Sequence, residues 1–448
     1  MRKTRNNNIG KHISGMALVL MLTISLNAQI NQPNIVLILA DDLGFECVTA
    51  NGGTSYHTPN IDLLANKGAR FKNCHSQPVC TPSRVQLMTG QYNVRNYTVF
   101  GELDRSQISF GNLFKNAGYK TAIAGKWQLG EEKDSPQHFG FEESCLWQQS
   151  YSRKDTAGHD TRFSNPILEF NGEVKHFNNG EYGPDIVSDF ICDFIEQNKD
   201  QPFFAYYPMI LSHCPFVPTP DSKDWDSQNL GSLTYKGEPK YFPDMISYMD
   251  KLVGKIVSKI EALGISENTL IIFAGDNGTD KPIISMFKGT DYPGGKGKTT
   301  DNGTHVPLIA RWDGKIEKNR TCSDLIDFSD FLPTMCDAAN IDISSQTTID
   351  GVSFLPQLLG KKGKPRKWIY SWYDPRGKEL KEFARNTKYK LYSTGEFYNI
   401  KEDFFEKTPL ALVTMNRDAK QSYNKLIKAL DKYKNIREEK ANTKRGKN

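Results

Sequence analysis

Two runs of strand length, Asn34-Ile35-Val36-Leu37-Ile38-Leu39-Ala40 and Asn268-Thr269-Leu270-Ile271-Ile272-Phe273-Ala274, are apolar almost without interruption. A strand with one face in water alternates polar and apolar residues, so a continuous run must be covered on both faces. A parallel sheet held between helices meets that condition, and it commits the chain to an α/β fold. The first run stops at Asp41-Asp42-Leu43-Gly44 and the second at Gly275-Asp276-Asn277-Gly278. Carboxyl ends of buried strands are where open α/β sheets bind ligands. Capping the next turn would need one acid and not two. Asn-Gly ordinarily signals a hairpin, but a tight hairpin does not fit after a buried parallel strand, and Asp276 with Asn277 mirrors Asp41 with Asp42. The two ends offer three carboxylates and one amide, hard oxygen donors suited to calcium, or less readily magnesium, and not to zinc.

The remaining pattern agrees with such a sheet. Thr58-Pro59-Asn60 opens a short helix closed by Gly68, and Phe110 to Gly118 reads as another. Lys120 to Ala124 is a strand that delivers Gly125-Lys126-Trp127-Gln128-Leu129-Gly130 at its carboxyl end. A helix from Asp185 to Gln197 precedes the buried strand Phe203 to Pro208, which leads into Ser212-His213-Cys214-Pro215-Phe216. Asp244 to Leu263 carries Met245, Met249, Leu252, Val253, Ile256 and Ile260 at helical spacing, a core-facing amphipathic helix. From about Lys364 the texture changes. Trp368 to Tyr373 and Lys388 to Ile400 read as strands of a small antiparallel sheet, and a final helix carries Tyr423, Leu426, Ile427, Leu430 and Tyr433 on one face. The expected division is therefore a main α/β domain over 29–363 and a small C-terminal subdomain with a basic tail over 364–448, consistent with a chain of 448 residues.

Cys80-Thr81-Pro82-Ser83-Arg84 poses the chemical question. Pro82 is preset for a first helical turn, which puts Cys80 just before a helix N-terminus, where orphan N–H groups favour an anion. The pattern Cys-x-Pro-x-Arg followed by Leu87-Met88-Thr89-Gly90 resembles the signature of the formylglycine-dependent (type I) sulfatases of the alkaline phosphatase superfamily, among them the bacterial carbohydrate sulfatases. The resemblance continues through Thr58-Pro59-Asn60-Ile61-Asp62, Gly125 to Gly130, Ser212-His213 with Pro215 and Pro218, Gly294-Gly295-Lys296 and Thr300 to Ile309, and it extends from Asn34 to about Asn399. Two departures stand out. Gln128 occupies a position that is usually His, and Asp301-Asn302-Gly303 replaces the usual Glu-Gly-Gly.

That resemblance implies an alkaline-phosphatase-like sandwich with a central, mostly parallel sheet, and a smaller C-terminal antiparallel sheet plus helix. It implies that a formylglycine-generating maturation enzyme converts Cys80 to formylglycine (3-oxoalanine), and that Asp41, Asp42, Asp276, Asn277 and residue 80 hold calcium. Arg84, Lys126 and Lys296 would neutralise the sulfate, and His213 would protonate the leaving alcohol. The hydrated aldehyde offers one oxygen to attack sulfur and a second hydroxyl to expel sulfate afterwards, an exit that Ser or unmodified Cys lacks. Gln128 can hydrogen-bond sulfate or the diol but cannot take a proton near neutral pH; either another base serves, or turnover is slow, or Gln128 belongs to a variant of substrate recognition. The implied substrate is a sulfated polysaccharide or oligosaccharide. A phosphonate or phosphate ester hydrolase of the same superfamily is the alternative within enzymes, although no extra His/Asp cluster for a second metal is visible. A non-catalytic sulfoglycan-binding protein is the alternative outside them, and the intact Cys-x-Pro-x-Arg core argues against it.

The formal net charge is +5, of which Arg2, Lys3, Arg5 and Lys11 supply four within residues 1–28, leaving about +1 for the rest and no argument for nucleic acid. Those basic residues precede the apolar run Met16 to Leu26 and Asn27-Ala28-Gln29, the pattern of a signal peptide spanning 1–28. The run is too short for a membrane span, so the protein is expected to be exported, to the periplasm or the medium. Residues 415–448 carry a net +7, read as a solvated helix face and tail. Within the irregular stretch 131–200, Arg153, His159, Arg162 and His176 are candidates to face a polyanion. Eight cysteines are too sparse for a disulfide scaffold. With Cys80 converted, an odd number remains, so at least one is a free thiol.

Overall fold

The computed structural model describes residues 32–344, 347–377 and 379–445; the expected signal peptide lies outside them. The main sheet contains β1 (Asn34–Ala40), β2 (Ala69–His75), β3 (Lys120–Lys126), β4 (Glu143–Trp147), β5 (Ile167–Phe170), β6 (Glu173–His176), β7 (Phe203–Pro208) and β8 (Thr269–Gly275). After a hairpin of β9 (Ile284–Phe287) and β10 (Thr290–Pro293), it is completed by β11 (His305–Arg311) and β12 (Arg320–Asp327). The strand order is β12-β2-β11-β8-β1-β7-β3-β4-β5-β6. From β8 through β1, β7 and β3 to β4 every neighbour is parallel. β11 runs antiparallel to both its neighbours, and β5 and β6 form an antiparallel edge.

The continuous apolar character of β1 follows from its place at the centre. Ile35, Leu37 and Leu39 enter one hydrophobic cluster, while Val36, Ile38 and Ala40 enter the other on the opposite face. Helices Cys80–Thr89, Phe110–Asn116 and Phe331–Ala338 supply the first cluster, and Pro59–Asn66, Gly183–Gln197 and Phe242–Ala262 the second. Alternate residues of one strand thus bury into two helix layers, each Leu or Ile contributing roughly 1.5–3 kcal/mol. No helix among the described residues is long and apolar enough to cross a membrane.

The C-terminal sheet is antiparallel, β13 (Ile369–Tyr373), β14 (Lys381–Arg385), β15 (Tyr389–Tyr392) and β16 (Phe397–Asn399). β14 has no clear signal in the sequence because two of its charged residues are buried by partners elsewhere: Glu382 accepts from Tyr370 Oη at 2.6 Å, and Arg385 pairs with Asp301. The expected single final helix is two, Arg417–Asp431 and Lys434–Arg445, with the buried Tyr433 between them stacked on Tyr370 at 4.2 Å. Tyr370, Trp372, Leu426 and Leu430 share one cluster with Val85 and Leu87, so the small sheet is built onto the main core and has no core of its own. Arg366 fastens the junction, donating Nε to both carboxylate oxygens of Asp330 at 2.7 Å and Nη1 to Tyr92 Oη at 2.8 Å.

Candidate active site

The carboxyl ends of β1, β3, β7 and β8 converge. Where β3 passes β7, a Cβ on Gly125 would lie 1.8 Å from the Pro208 carbonyl oxygen, and φ there is +133°, so only glycine fits. The next residues are the buried Lys126 and Trp127, followed by Gln128 at φ +55°; Asp42, after β1, has φ +58°. Left-handed backbone at non-glycine residues costs on the order of 1 kcal/mol each and clusters where side chains are aimed for function.

The floor of the site is acidic. Asp41, Asp42, Asp276 and Asn277 are all fully buried. Asp42 N donates to Asp276 Oδ1 at 3.0 Å, and Asn277 Nδ2 donates to Asp42 Oδ1 at 2.8 Å, which leaves Asn277 Oδ1 buried with no hydrogen-bond partner. An orphaned amide oxygen among buried carboxylates is a donor set that fits a hard divalent cation. The ligand atoms that lie within 4.8 Å of one another come from Asp41, Asp42 and His213; Asp276 stands outside this group, its Oδ2 taken by Arg84 Nε at 3.3 Å and Nη2 at 3.2 Å. Burial raises the Asp42 carboxyl and pushes Asp276 up to about 7, the latter helped by Asp41. For Asp41, burial is outweighed by Lys126, Arg84 and Lys296, which hold it below the ordinary range.

Cys80 is the first residue of its helix and not the one before it, with Val79 as an extended N-cap. All ten residues of this helix are buried, and Sγ donates to Gln128 Oε1 at 3.1 Å. Burial raises the thiol above its ordinary value, despite the pull of Lys126 and Lys296. It therefore stays protonated and is a poor nucleophile as it stands. Above it opens a cavity of about 310 Å³ onto which Cys80, Lys126, Gln128, His213 and Lys296 all face. Lys126 Nζ donates to Asp41 Oδ2 at 2.8 Å and Lys296 Nζ to Asp42 Oδ2 at 2.6 Å, and these carboxylates keep both amines protonated against burial.

Arg84, expected to face the anion, is instead beneath the cavity. It donates Nη1 to the Lys126 carbonyl at 2.9 Å as well as clasping Asp276, so it positions the floor and the end of β3. His213 Nε2 lies 3.7 Å from Asp42 Oδ2, and burial, then Lys296, Lys126 and Arg162, drive its pKa well below the ordinary value. Its Nδ1 is 2.5 Å from the Cys214 carbonyl oxygen and 2.9 Å from Arg162 Nη1. One neutral ring nitrogen cannot both donate and accept. A guanidinium can only donate, so a neutral ring that keeps the Arg162 bond carries its proton on Nε2. Arg162 is itself fixed by Asp160, to which Nε and Nη2 donate at 2.8 and 2.9 Å, and by the Trp147 ring 4.1 Å away.

Of the four polyanion candidates, Arg153 and Arg162 reach the cavity. His159 pairs instead with Asp155 at 3.0 Å, and His176 ends the exposed β6. Tyr235, Gln148, Phe100 and Arg376 also line the cavity and carry no signal in the sequence. All eight cysteines are free and buried.

A cationic cavity over a carboxylate floor, at the carboxyl ends of a mostly parallel sheet, can bind an anionic ester and polarise it, which defines the class as hydrolases of such esters. The chain belongs to the sulfatase family, whose model matches residues 33–341, and a model of the C-terminal region of N-sulphoglucosamine sulphohydrolase matches 296–439. It is thus a sulfuric ester hydrolase. It is 30% identical over 374 residues to the N-acetylgalactosamine-6-sulfatase of Mus musculus, covering 75% of this chain and 68% of that one. With arylsulfatase A of Homo sapiens the figures are 29% over 417 residues, 84% and 77%. Among solved structures, a sulfatase from Pseudoalteromonas sp. superposes with a TM-score of 0.72 at 24% identity, covering 95% of both chains. A protein solved in complex with its substrate D-glucosamine-2-N,6-O-disulfate superposes with a TM-score of 0.73 at 21% identity, covering 91% of this chain and 99% of that one. The shared architecture is the alkaline-phosphatase-like sandwich.

Proposed function

We propose that this sulfatase removes sulfate from sulfated oligo- or polysaccharides, with Cys80 matured to formylglycine by a generating enzyme and calcium as the metal. The observation that carries the reading is Cys80 itself: a buried thiol, kept protonated, at the first turn of a helix and facing two ammonium groups across one cavity. A cysteine protease or transferase would hold such a thiol as thiolate; here the unmodified group has little nucleophilic use. Hydrated formylglycine supplies an attacking oxygen with a second hydroxyl beside it, through which sulfate can be expelled. The names of relatives and neighbours, an N-acetylgalactosamine-6-sulfatase and a structure with a sulfated glucosamine, support a sugar substrate.

Asp41, Asp42, Asp276 and Asn277 would hold the calcium, which when bound would supply positive charge for the sulfate oxygens. Without it the buried charges of Asp41, Asp42, Asp276, Arg84, Lys126 and Lys296 cancel; with a dication the site attracts an anion. Lys126 and Lys296 bind sulfate oxygens and stabilise charge as the S–O bond breaks. His213 is neutral, because burial and the neighbouring cations drive its pKa well below the ordinary value. Its tautomer set by Arg162, it hydrogen-bonds the leaving oxygen through Nε2–H and stabilises the charge developing there instead of protonating it outright. Gln128 hydrogen-bonds residue 80 and keeps the reacting oxygen turned toward sulfur. Residues 1–28 direct export.

The deciding experiment is the mass of the tryptic peptide carrying position 80, from protein co-expressed with a formylglycine-generating enzyme. A loss of about 18 Da relative to the cysteine form is expected, with sulfate release from sulfated sugars. An unmodified thiol under those conditions overturns the mechanism.

A further inference from the structure

The cavity is more cationic than one sulfate needs. Among the described residues five cations line it, Lys126, Arg153, Arg162, Lys296 and Arg376, and no carboxylate does. Three of them are balanced from below, Lys126 by Asp41, Lys296 by Asp42 and Arg162 by Asp160. Arg153 and Arg376 have no ion pair among the described residues.

Aromatic faces hold these two instead. Arg153 Cζ lies 4.5 Å from the centre of the Tyr235 ring, and Arg376 Cζ 5.7 Å from that of Phe100. Stacking orients a guanidinium while leaving its N–H edge free to donate a bidentate pair to a carboxylate or sulfate. The loop bearing Arg153 is itself fixed. Buried Glu169 accepts from Ser150 N at 2.8 Å, Ser150 Oγ at 2.5 Å and Tyr151 N at 2.9 Å. Arg376 follows β13, so the C-terminal sheet supplies one side of the mouth and the main domain the other.

We propose that Arg153 and Arg376 form a second anion subsite at the mouth of the cavity, and that the substrate carries a further anionic group, a sulfate or a uronate carboxylate, on or beside the sugar bearing the scissile sulfate. This rests on the reading of the cavity as a sulfated-glycan site. The two arginines then select among sulfated glycans and do no chemistry on the ester.

The test compares three disaccharides of one backbone: one with the scissile sulfate alone, one with a second sulfate, and one with a uronate carboxylate. Sulfate release is followed for the matured enzyme and for Arg153→Gln and Arg376→Gln. For the wild type, kcat/KM is expected to favour a doubly anionic substrate by about 10- to 100-fold, expressed in KM. Each variant should shrink that ratio by about 10-fold. The sulfate and carboxylate arms show which group the subsite takes. A ratio identical in wild type and both variants overturns the proposal while leaving the sulfatase reading intact. If no disaccharide releases sulfate, the functional reading falls, and the subsite is judged by calorimetry on Cys80→Ser protein. A tighter Kd for a doubly anionic disaccharide, lost in Cys80→Ser/Arg376→Gln, supports it; equal Kd values overturn it.

Discussion

Cys80 Sγ donates a hydrogen bond to Gln128 Oε1 at 3.1 Å, and Gln128 reaches it from a left-handed backbone conformation. The residue at the position that the family usually fills with His is therefore in direct contact with Cys80. A carboxamide can orient a hydroxyl there but cannot exchange a proton near neutral pH.

Replacing Gln128 separates orientation from proton transfer. Gln128→Ala should lower kcat/KM about 3- to 30-fold, the loss of one hydrogen bond to a partly charged group. Gln128→His should add an inflection near pH ~6.5 that the wild type lacks. Sulfate release across a pH series reads both, and an Ala variant as fast as wild type would show that the contact is unused in turnover.

On the proposed reading, a divalent cation held by three buried carboxylates and the partnerless Asn277 Oδ1 would contribute to stability as well as to activity. Chelation should abolish sulfate release and calcium should restore it. Calcium at about 100 times its Kd contributes about 2.7 kcal/mol, seen as a melting point higher by a few degrees. Asn277→Ala should raise the calcium concentration required by about 10-fold or more. A melting curve indifferent to calcium in the wild type refutes the metal site.

Glu46 ties the turn after β1 to the turn after β8: Gly44 N donates to Thr279 Oγ1 at 3.1 Å, and Thr279 Oγ1 donates to Glu46 Oε1 at 2.5 Å. Burial pushes its carboxyl up to about 7, and Oε2 has no partner. The folded state thus binds this proton more tightly than the unfolded chain. The associated stability is fully present below the ordinary glutamate range and is lost as pH rises through about 7. Glu46→Gln, always neutral, should be more stable than wild type by about 1–3 kcal/mol near pH ~8 and by much less near pH ~5. Urea denaturation at both pH values measures the difference; a constant offset would contradict the assignment.

Arg366 is the fastening between the C-terminal sheet and the main domain, its side chain 7% exposed, and it accounts for the charge of the buried Asp330. Arg366→Ala leaves that carboxylate buried and unpaired, at an expected loss of about 3–5 kcal/mol. Equilibrium denaturation gives the value. A loss under about 1 kcal/mol would mean that water reaches Asp330 in the variant.

Much of the site could be read along the chain because its parts are local. A strand covered on both faces needs a continuous apolar run, and the residues at its end, Asp41-Asp42 or Asp276-Asn277, are delivered to the carboxyl edge of the sheet by the strand itself. Cys80 and Arg84 share one helix, so Cys-x-Pro-x-Arg encodes their relation directly. The main strands and the long helix Phe242–Ala262 were legible for the same reason, as periodicity is a property of adjacent residues.

Other features depended on contacts between distant segments. Arg84 turned away from the cavity because Asp276 and the Lys126 carbonyl lie on the side it faces. The short antiparallel edge β5–β6 and the charged strand β14 have no pattern of their own and take their form from neighbours. Arg153, Tyr235, Phe100 and Arg376 come from four separate loops, and their meeting at one cavity mouth is set by how those loops are packed. The sequence by itself determined the α/β sheet and the chemistry available at its edge, since both follow from residues adjacent in the chain; the tertiary structure alone decided which charges remain unbalanced at the mouth, since pairing depends on distance in space.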